Sequence, residues 1–113
     1  MNLKDINIQN TSTFNKEIKK LKKRFKNIEN DYMSFVNNIK NIDDLGINLG
    51  NNIFKVRLAN SDKNSGKSSG YRLISYLKLI DKELYLIYIY DKSDIENISE
   101  KEIDKLILDN FQN

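Results

Sequence analysis

Five cations crowd one short stretch of this chain: Lys55, Arg57, Lys63, Lys67 and Arg72, opposed there by Asp62 alone. They flank a loop that reads Lys63-Asn64-Ser65-Gly66-Lys67-Ser68-Ser69-Gly70 and runs into Tyr71-Arg72. Like charges this close repel one another, and the arrangement becomes favourable when an anion sits among them. Guanidinium forks match phosphate oxygens, and ammonium groups add point charge. Lys92 closes a later run in which Tyr88 and Tyr90 share a face, and tyrosine rings offer stacking surfaces to unpaired bases. Cations interleaved with aromatics point to a polyanion, RNA first among them, and to the chemistry of phosphate binding and base stacking. The bland reading stands beside it. Lysines and arginines at strand ends also serve solubility and edge protection, and Tyr71, Tyr76, Tyr85, Tyr88 and Tyr90 also suit half-buried sheet positions.

The elements that must position these residues are legible in the apolar pattern. Leu3, Ile6 and Ile8 predict a short strand over residues 3–9. Asn10-Thr11-Ser12-Thr13 follows, and Ser12 or Thr13 is expected to cap a helix. Phe14, Ile18, Leu21, Phe25 and Ile28 recur at helical spacing, with lysines on the other face. Tyr32, Phe35, Val36 and Ile39 predict a second helix that forms a hairpin with the first. Gly46 and Gly50, among asparagines, mark turns. Residues 53–59 read as a strand with Phe54, Val56 and Leu58 on one face and Lys55 and Arg57 on the other. Residues 60–69 form a polar loop, 71–79 and 84–90 two further strands, and Ile80-Asp81-Lys82-Glu83 a tight connection. Ser99 and Glu102 have the spacing of a capping box ahead of Ile103, Leu106, Ile107 and Phe111. The expected architecture is α+β, in the order β-α-α-β-β-β-α: a mostly antiparallel sheet with a helical hairpin on one face.

Composition bounds the rest. A chain of 113 residues holds one domain, here 1–113. It has no cysteine, which excludes disulfides and thiolate metal sites. It has no histidine, the commonest general base and metal ligand. No metal and no small-molecule cofactor are expected, because the acidic residues do not gather around the basic stretch. Residues 1–92 carry 17 basic against 10 acidic groups, whereas residues 93–113 carry 2 against 6. A basic body with an acidic tail fits a polyanion partner. No run is long and apolar enough for a membrane span and the first residues lack a signal pattern, so no membrane partner and a cytoplasmic location are expected. Gly66-Lys67-Ser68 mimics the end of a phosphate-binding P-loop, but Ser61 stands where that motif needs glycine and a strand pattern follows where it needs a helix.

Three stretches carry a family resemblance. Lys55-Val56-Arg57-Leu58-Ala59, Gly66-Lys67-Ser68-Ser69-Gly70-Tyr71-Arg72 and Ile89-Tyr90-Asp91-Lys92-Ser93 resemble the RelE/ParE toxin superfamily, and most closely its HigB-like branch of RelE toxins. The tail from Glu96 to Ile103 is similar as well, and the resemblance runs from Phe14 onward. One departure is Ser69, where the family usually has the first of two glycines. The resemblance implies a microbial-ribonuclease-like fold and the toxin of a type II toxin–antitoxin pair. It further implies cleavage of mRNA on the ribosome, blocking translation, and a cognate antitoxin as partner.

RNA is cleaved when a ribose 2′-OH attacks the adjacent phosphate, which calls for a proton acceptor, a proton donor and stabilisation of the phosphorane. With no histidine, and no glutamate in residues 30–82, electrostatic stabilisation is expected to dominate. Arg57 and Arg72 are assigned to the non-bridging oxygens, Lys67 and Lys55 to the developing charge. Tyr90 and Lys92 are assigned to base orientation or the leaving oxygen. Lys63, Ser68, Tyr71 and Tyr88 complete the expected RNA contacts. Two other functions share these features: a ParE-like toxin that poisons gyrase, and a non-catalytic RNA- or ribosome-binding module. A structural protein with an incidental basic face is the remaining reading.

Overall fold

The apolar helical series buries as its spacing demands, though not on one helix. In the computed structural model, which describes residues 2–63 and 66–111, a first strand β1 (Asn7–Asn10) leads into α1 (Ser12–Lys22). The chain turns at Phe25 and resumes as α2 (Ile28–Asn37), so Phe25 and Ile28 belong to the turn and to the second helix. Thr11, one residue ahead of the expected caps, is the N-cap of α1. Its hydroxyl oxygen accepts the Phe14 N–H at 3.2 Å and its hydroxyl donates to the Leu86 carbonyl at 2.9 Å, which pins the helix start to the sheet.

The remaining strands are β2 (Ile47–Gly50), β3 (Ile53–Leu58), β4 (Tyr71–Lys78) and β5 (Glu83–Asp91), followed by α3 (Glu100–Phe111). Short 3-10 turns occupy Ile42–Leu45, Lys67–Ser69 and Leu79–Asp81. The sheet order is β1-β5-β4-β3-β2, antiparallel throughout except that β1 runs parallel to β5. The α+β class and the helical hairpin stand. Two expectations do not. Residues 3–6 lie outside the first strand. The glycine-marked turn region holds a strand, β2, all of whose residues are exposed and which is held by pairing to β3. The tight connection before β5 stands, as a 3-10 turn over Leu79–Asp81 closed by Lys82 in the left-handed conformation.

Two cores lie on the two faces of this sheet. Phe14, Ile18, Leu21, Phe25 and Ile28 pack with Phe54, Leu58, Tyr71, Leu73, Leu77, Leu84, Leu86 and Ile89 beneath α1 and α2. On the opposite face Ile53, Ile74, Ile87 and Tyr90 pack with Ile98 and Ile103 of the C-terminal segment. A β-bulge in β5 lets Ile74 face Tyr88 while Ser75 faces Leu86, so Ile87 is the extra residue. Ile87 and Tyr88 therefore both reach the second face, which plain alternation forbids. The Ser99 hydroxyl accepts the Glu102 N–H at 3.1 Å, as the capping spacing predicts.

Candidate RNA-binding and active site

The β3–β4–β5 register sets the site. Arg57 pairs with Arg72, and Arg72 with Tyr90, so the three form one row across three strands. The next row on the same face is Lys55, Ile74 and Tyr88. Like charges directly opposite one another across a ladder are destabilising. Neither arginine is offset by an ion pair with a carboxylate among the described residues, and neither are Lys55, Lys67 and Lys92.

The two arginines are held differently. Arg57 is exposed, whereas Arg72 is only 6% exposed. The Arg72 guanidinium donates from Nη1 to the Lys67 carbonyl (3.2 Å) and the Tyr71 carbonyl (3.2 Å), and from Nη2 to the Ser68 carbonyl (2.9 Å). Burial, and then repulsion from Arg57, pull its pKa below the usual guanidinium range. Arg72 thus shapes the 3-10 turn that presents Lys67 and Ser68, both exposed, at the rim of the site. Gly70 lets this turn rejoin β4. A Cβ there would lie 2.1 Å from the Leu58 carbonyl oxygen, so only glycine fits so close an approach.

A buried polar cluster anchors the same loop. Asp91, fully buried at the end of β5, takes the Lys63 ammonium on Oδ2 at 2.6 Å and the Asn60 amide on Oδ1 at 3.2 Å. The Ser93 N–H (3.1 Å) and hydroxyl also donate to Oδ2. Lys63 donates in turn to the Ser69 carbonyl at 3.1 Å, and the Lys92 N–H donates to the Gly70 carbonyl at 3.0 Å. Burial pushes the Asp91 carboxyl up, but Lys63, Ser93 and Asn60 outweigh it and hold the group below its ordinary range.

Two of the expected RNA contacts are thereby corrected. The Lys63 ammonium is committed to Asp91 and the Ser69 carbonyl. Tyr71 lies on the other face of the sheet, fully buried beneath α1 and α2 and edge-on to Phe25 at 5.9 Å, out of reach of any base. Tyr90 is in the expected row but nearly buried. Its hydroxyl makes no hydrogen bond of good geometry among the described residues. Burial raises its pKa, while the Ile98 backbone and the Arg72 charge pull it the other way. Tyr88 is half-buried beside it, ring centroids 6.0 Å apart, and burial raises its pKa too. Lys92 is exposed, one residue past β5. Asn64 and Ser65 of the loop lie outside the described residues.

The sequence reading missed two carboxylates. Glu100 and Asp104 of α3 share a groove of about 260 Å³ with Lys55. The capping signal marks where this helix starts, and nothing in the local sequence marks the strand it docks on.

The fold is a small α+β sheet with a basic row on one face, rimmed by a glycine-bounded loop. The family model described as the RelE toxin of the RelE / RelB toxin-antitoxin system matches residues 7–108. The chain belongs to this RelE toxin family, and membership makes it the toxin of a toxin–antitoxin pair with an antitoxin partner. No curated protein matches it. No helix among the described residues is long and apolar enough to cross a membrane.

Proposed function

We propose that this protein is a ribosome-dependent mRNA endoribonuclease of the HigB-like branch, acting by metal-independent attack of a ribose 2′-oxygen on the adjacent phosphorus. The observation that carries the reading is the cross-strand pair Arg57–Arg72, set opposite each other with no ion-paired carboxylate among the described residues. A phosphodiester bound there relieves the repulsion between them and takes one or two guanidinium hydrogen bonds. Charge on the non-bridging oxygens grows as the phosphorane forms, so fixed cations stabilise the transition state more than the ground state. Arg57 is the free fork for these oxygens, with Lys67 and Lys55 adding charge from either side. The 2′-hydroxyl loses its proton as the P–O2′ bond forms, and the 5′-oxygen takes one as its bond to phosphorus breaks. Glu100 and Asp104 are the carboxylates that share a groove with Lys55 and supply a proton acceptor on this side. Lys92 and Tyr90 serve the departing nucleotide.

Induction of the chain in cells, with mRNA 5′ ends mapped beside an Arg57→Ala variant, tests this. New ends inside translated frames, absent in the variant, are expected. Growth arrest with DNA damage and no new ends would move the assignment to gyrase poisoning, and no arrest would leave a binding module.

A further inference from the structure

Asp62 is the one acid in the basic stretch, where a carboxylate competes with phosphate for the same cations. Among the described residues it forms no ion pair. Its carboxylate binds the start of α2 instead: Oδ2 accepts the Asn27 N–H at 3.0 Å, and Oδ1 accepts from the Asn27 side-chain amide at 3.1 Å. α2 packs on the face of the sheet opposite to the arginine row. Asn27 heads this helix without capping it with its own side chain, so Asp62 supplies an acceptor and a negative charge at the positive end of α2 from across the fold.

The neighbours of Asp62 are anchored too. Residues 60–63 form a turn in which the Asn60 side-chain oxygen accepts the Asp62 N–H and the Asn60 carbonyl accepts the Lys63 N–H, both at 3.0 Å. Asn60 and Lys63 bind Asp91 at the end of β5, whereas Ser61 binds Asp31 of α2 through its N–H (3.0 Å) and hydroxyl (3.1 Å). Two anchors on the single Asp91 carboxylate leave the turn free to pivot about it, and the bonds to α2 hold it from the other side. Lys63 passes the constraint on by donating to the Ser69 carbonyl, in the 3-10 turn that presents Lys67.

We propose that Asp62 is a positioning residue of the phosphate site, acting from α2 through Lys63 on the turn that carries Lys67. The inference rests on the RNA reading above and adds the residue that fixes the loop against the helical layer. It accounts for an acid in a stretch of cations: the two bonds to Asn27 aim Lys67, and that gain outweighs the charge set against phosphate. Removing the carboxylate and removing the bonds should therefore have opposite effects on RNA. An asparagine at this position separates them. It drops the charge but keeps both bonds, its carbonyl accepting the Asn27 N–H and its amide donating to the Asn27 side chain once that amide turns over.

The parent protein, Asp62→Ala and Asp62→Asn are titrated with a 2′-O-methyl oligouridine, which resists 2′-oxygen attack. Charge alone predicts the same rise in affinity from both variants, because each removes one negative charge from the basic stretch. Positioning predicts a split. Asp62→Ala should bind about three- to tenfold more weakly than the parent, the worth of a lost hydrogen-bonded anchor. Hydrogen exchange at the Gly70 N–H, which donates to the Lys67 carbonyl at 3.3 Å, should quicken in this variant. Asp62→Asn should bind at least as tightly as the parent and protect Gly70 equally. If Asp62→Ala fails to fold, Asn27→Ala, which removes the side-chain bond alone, takes its place with a smaller effect in the same direction. Affinity that rises or falls alike in both Asp62 variants, or Gly70 exchange that ignores the loss of the bonds, would overturn the assignment. Failure of the parent to bind the probe would overturn the RNA reading instead, and Gly70 exchange would still decide whether Asp62 holds the turn.

Discussion

Arg57 and Arg72 lie opposite each other, yet they should fail in different ways when truncated. Arg57 is exposed and makes no hydrogen bond that organises the fold among the described residues. Arg57→Ala should therefore change stability by no more than about 0.5 kcal/mol. Its activity should fall at least about 100-fold, the cost of removing one donor to a developing oxyanion. Arg72→Ala removes three charge-assisted bonds, to the Lys67, Ser68 and Tyr71 carbonyls. Such bonds are worth roughly 1.5–3 kcal/mol each when buried. The Lys67 and Ser68 carbonyls belong to exposed residues and recover water, while Tyr71 is buried and does not. A net loss of about 2–4 kcal/mol follows, which for a chain of this length lowers Tm by roughly 8–16 °C. Thermal unfolding by circular dichroism reads the stabilities, and hydrogen exchange at the Gly70 N–H, which donates to the Lys67 carbonyl at 3.3 Å, reads the turn. If Arg72→Ala melts with the parent protein, or Arg57→Ala melts as early as Arg72→Ala, the division into a phosphate-holding and a loop-shaping arginine is wrong. It also follows that Arg57→Ala is the clean test of catalysis and the double variant is not, because loss of Arg72 disturbs the turn carrying Lys67 as well.

Four further outcomes test the surroundings of the site. Lys63→Met strands a buried Asp91 charge and should cost about 3 kcal/mol, more than Asp91→Asn, which leaves a partly exposed ammonium that rehydrates; denaturant unfolding ranks them, and the reverse order would refute the anchor. Because the Asp91 pKa is lowered in the folded state, its contribution is full above the unfolded value of about 4 and disappears as pH falls through the folded one, so the stability gap between parent and Asp91→Asn should close only below about pH 4. Tyr71→Phe removes a buried hydroxyl that has no partner among the described residues, and unfolding should show a change between zero and a gain of about 1 kcal/mol. Gly70→Ala drives a Cβ against the Leu58 carbonyl and should cost at least about 2 kcal/mol, measured the same way.

The helices were legible because their burial is periodic: Phe14, Ile18 and Leu21 sit on one stripe, and all three are buried. β2 was not, because Ile47-Asn48-Leu49-Gly50 is only four residues long, sits among turn-forming glycines and asparagines and is exposed on both sides; pairing with β3 makes it a strand. Lys63 could not be placed because its partner, Asp91, is distant in sequence and meets it only once β5 has closed against the loop. Tyr71 was misplaced for a reason the sequence did contain. Side chains alternate along a strand, so a register that brings Arg72 to Arg57 sends Tyr71 to the opposite face. The expected set named both neighbours as RNA contacts, and period two allows only one.

That same alternation explains how so short a sheet is both packed and basic on one face. α1 and α2 cover one side with a continuous apolar core. On the other side α3 runs toward Tyr76 and Tyr85, which meet Phe111 at 5.4 and 4.7 Å and close that end. The opposite end of the same strands carries Arg57, Arg72 and Tyr90 in a single row. Extending the aromatic packing along the whole face would bury the cations, and extending the cations would leave α3 nothing to dock on. The bulge at Ile87 lies between the two ends and brings Ile87 and Tyr88 to this face together. It gives α3 an extra apolar contact without moving Tyr90 out of the arginine row. Deleting Ile87 would restore simple alternation with Tyr85, Tyr88 and Tyr90 still on this face, whereas keeping Ile87 in a strand without the bulge would turn Tyr90 or Tyr85 to the other face according to which end of β5 shifted. The bulge is therefore what lets one strand serve the helix and the phosphate site at once.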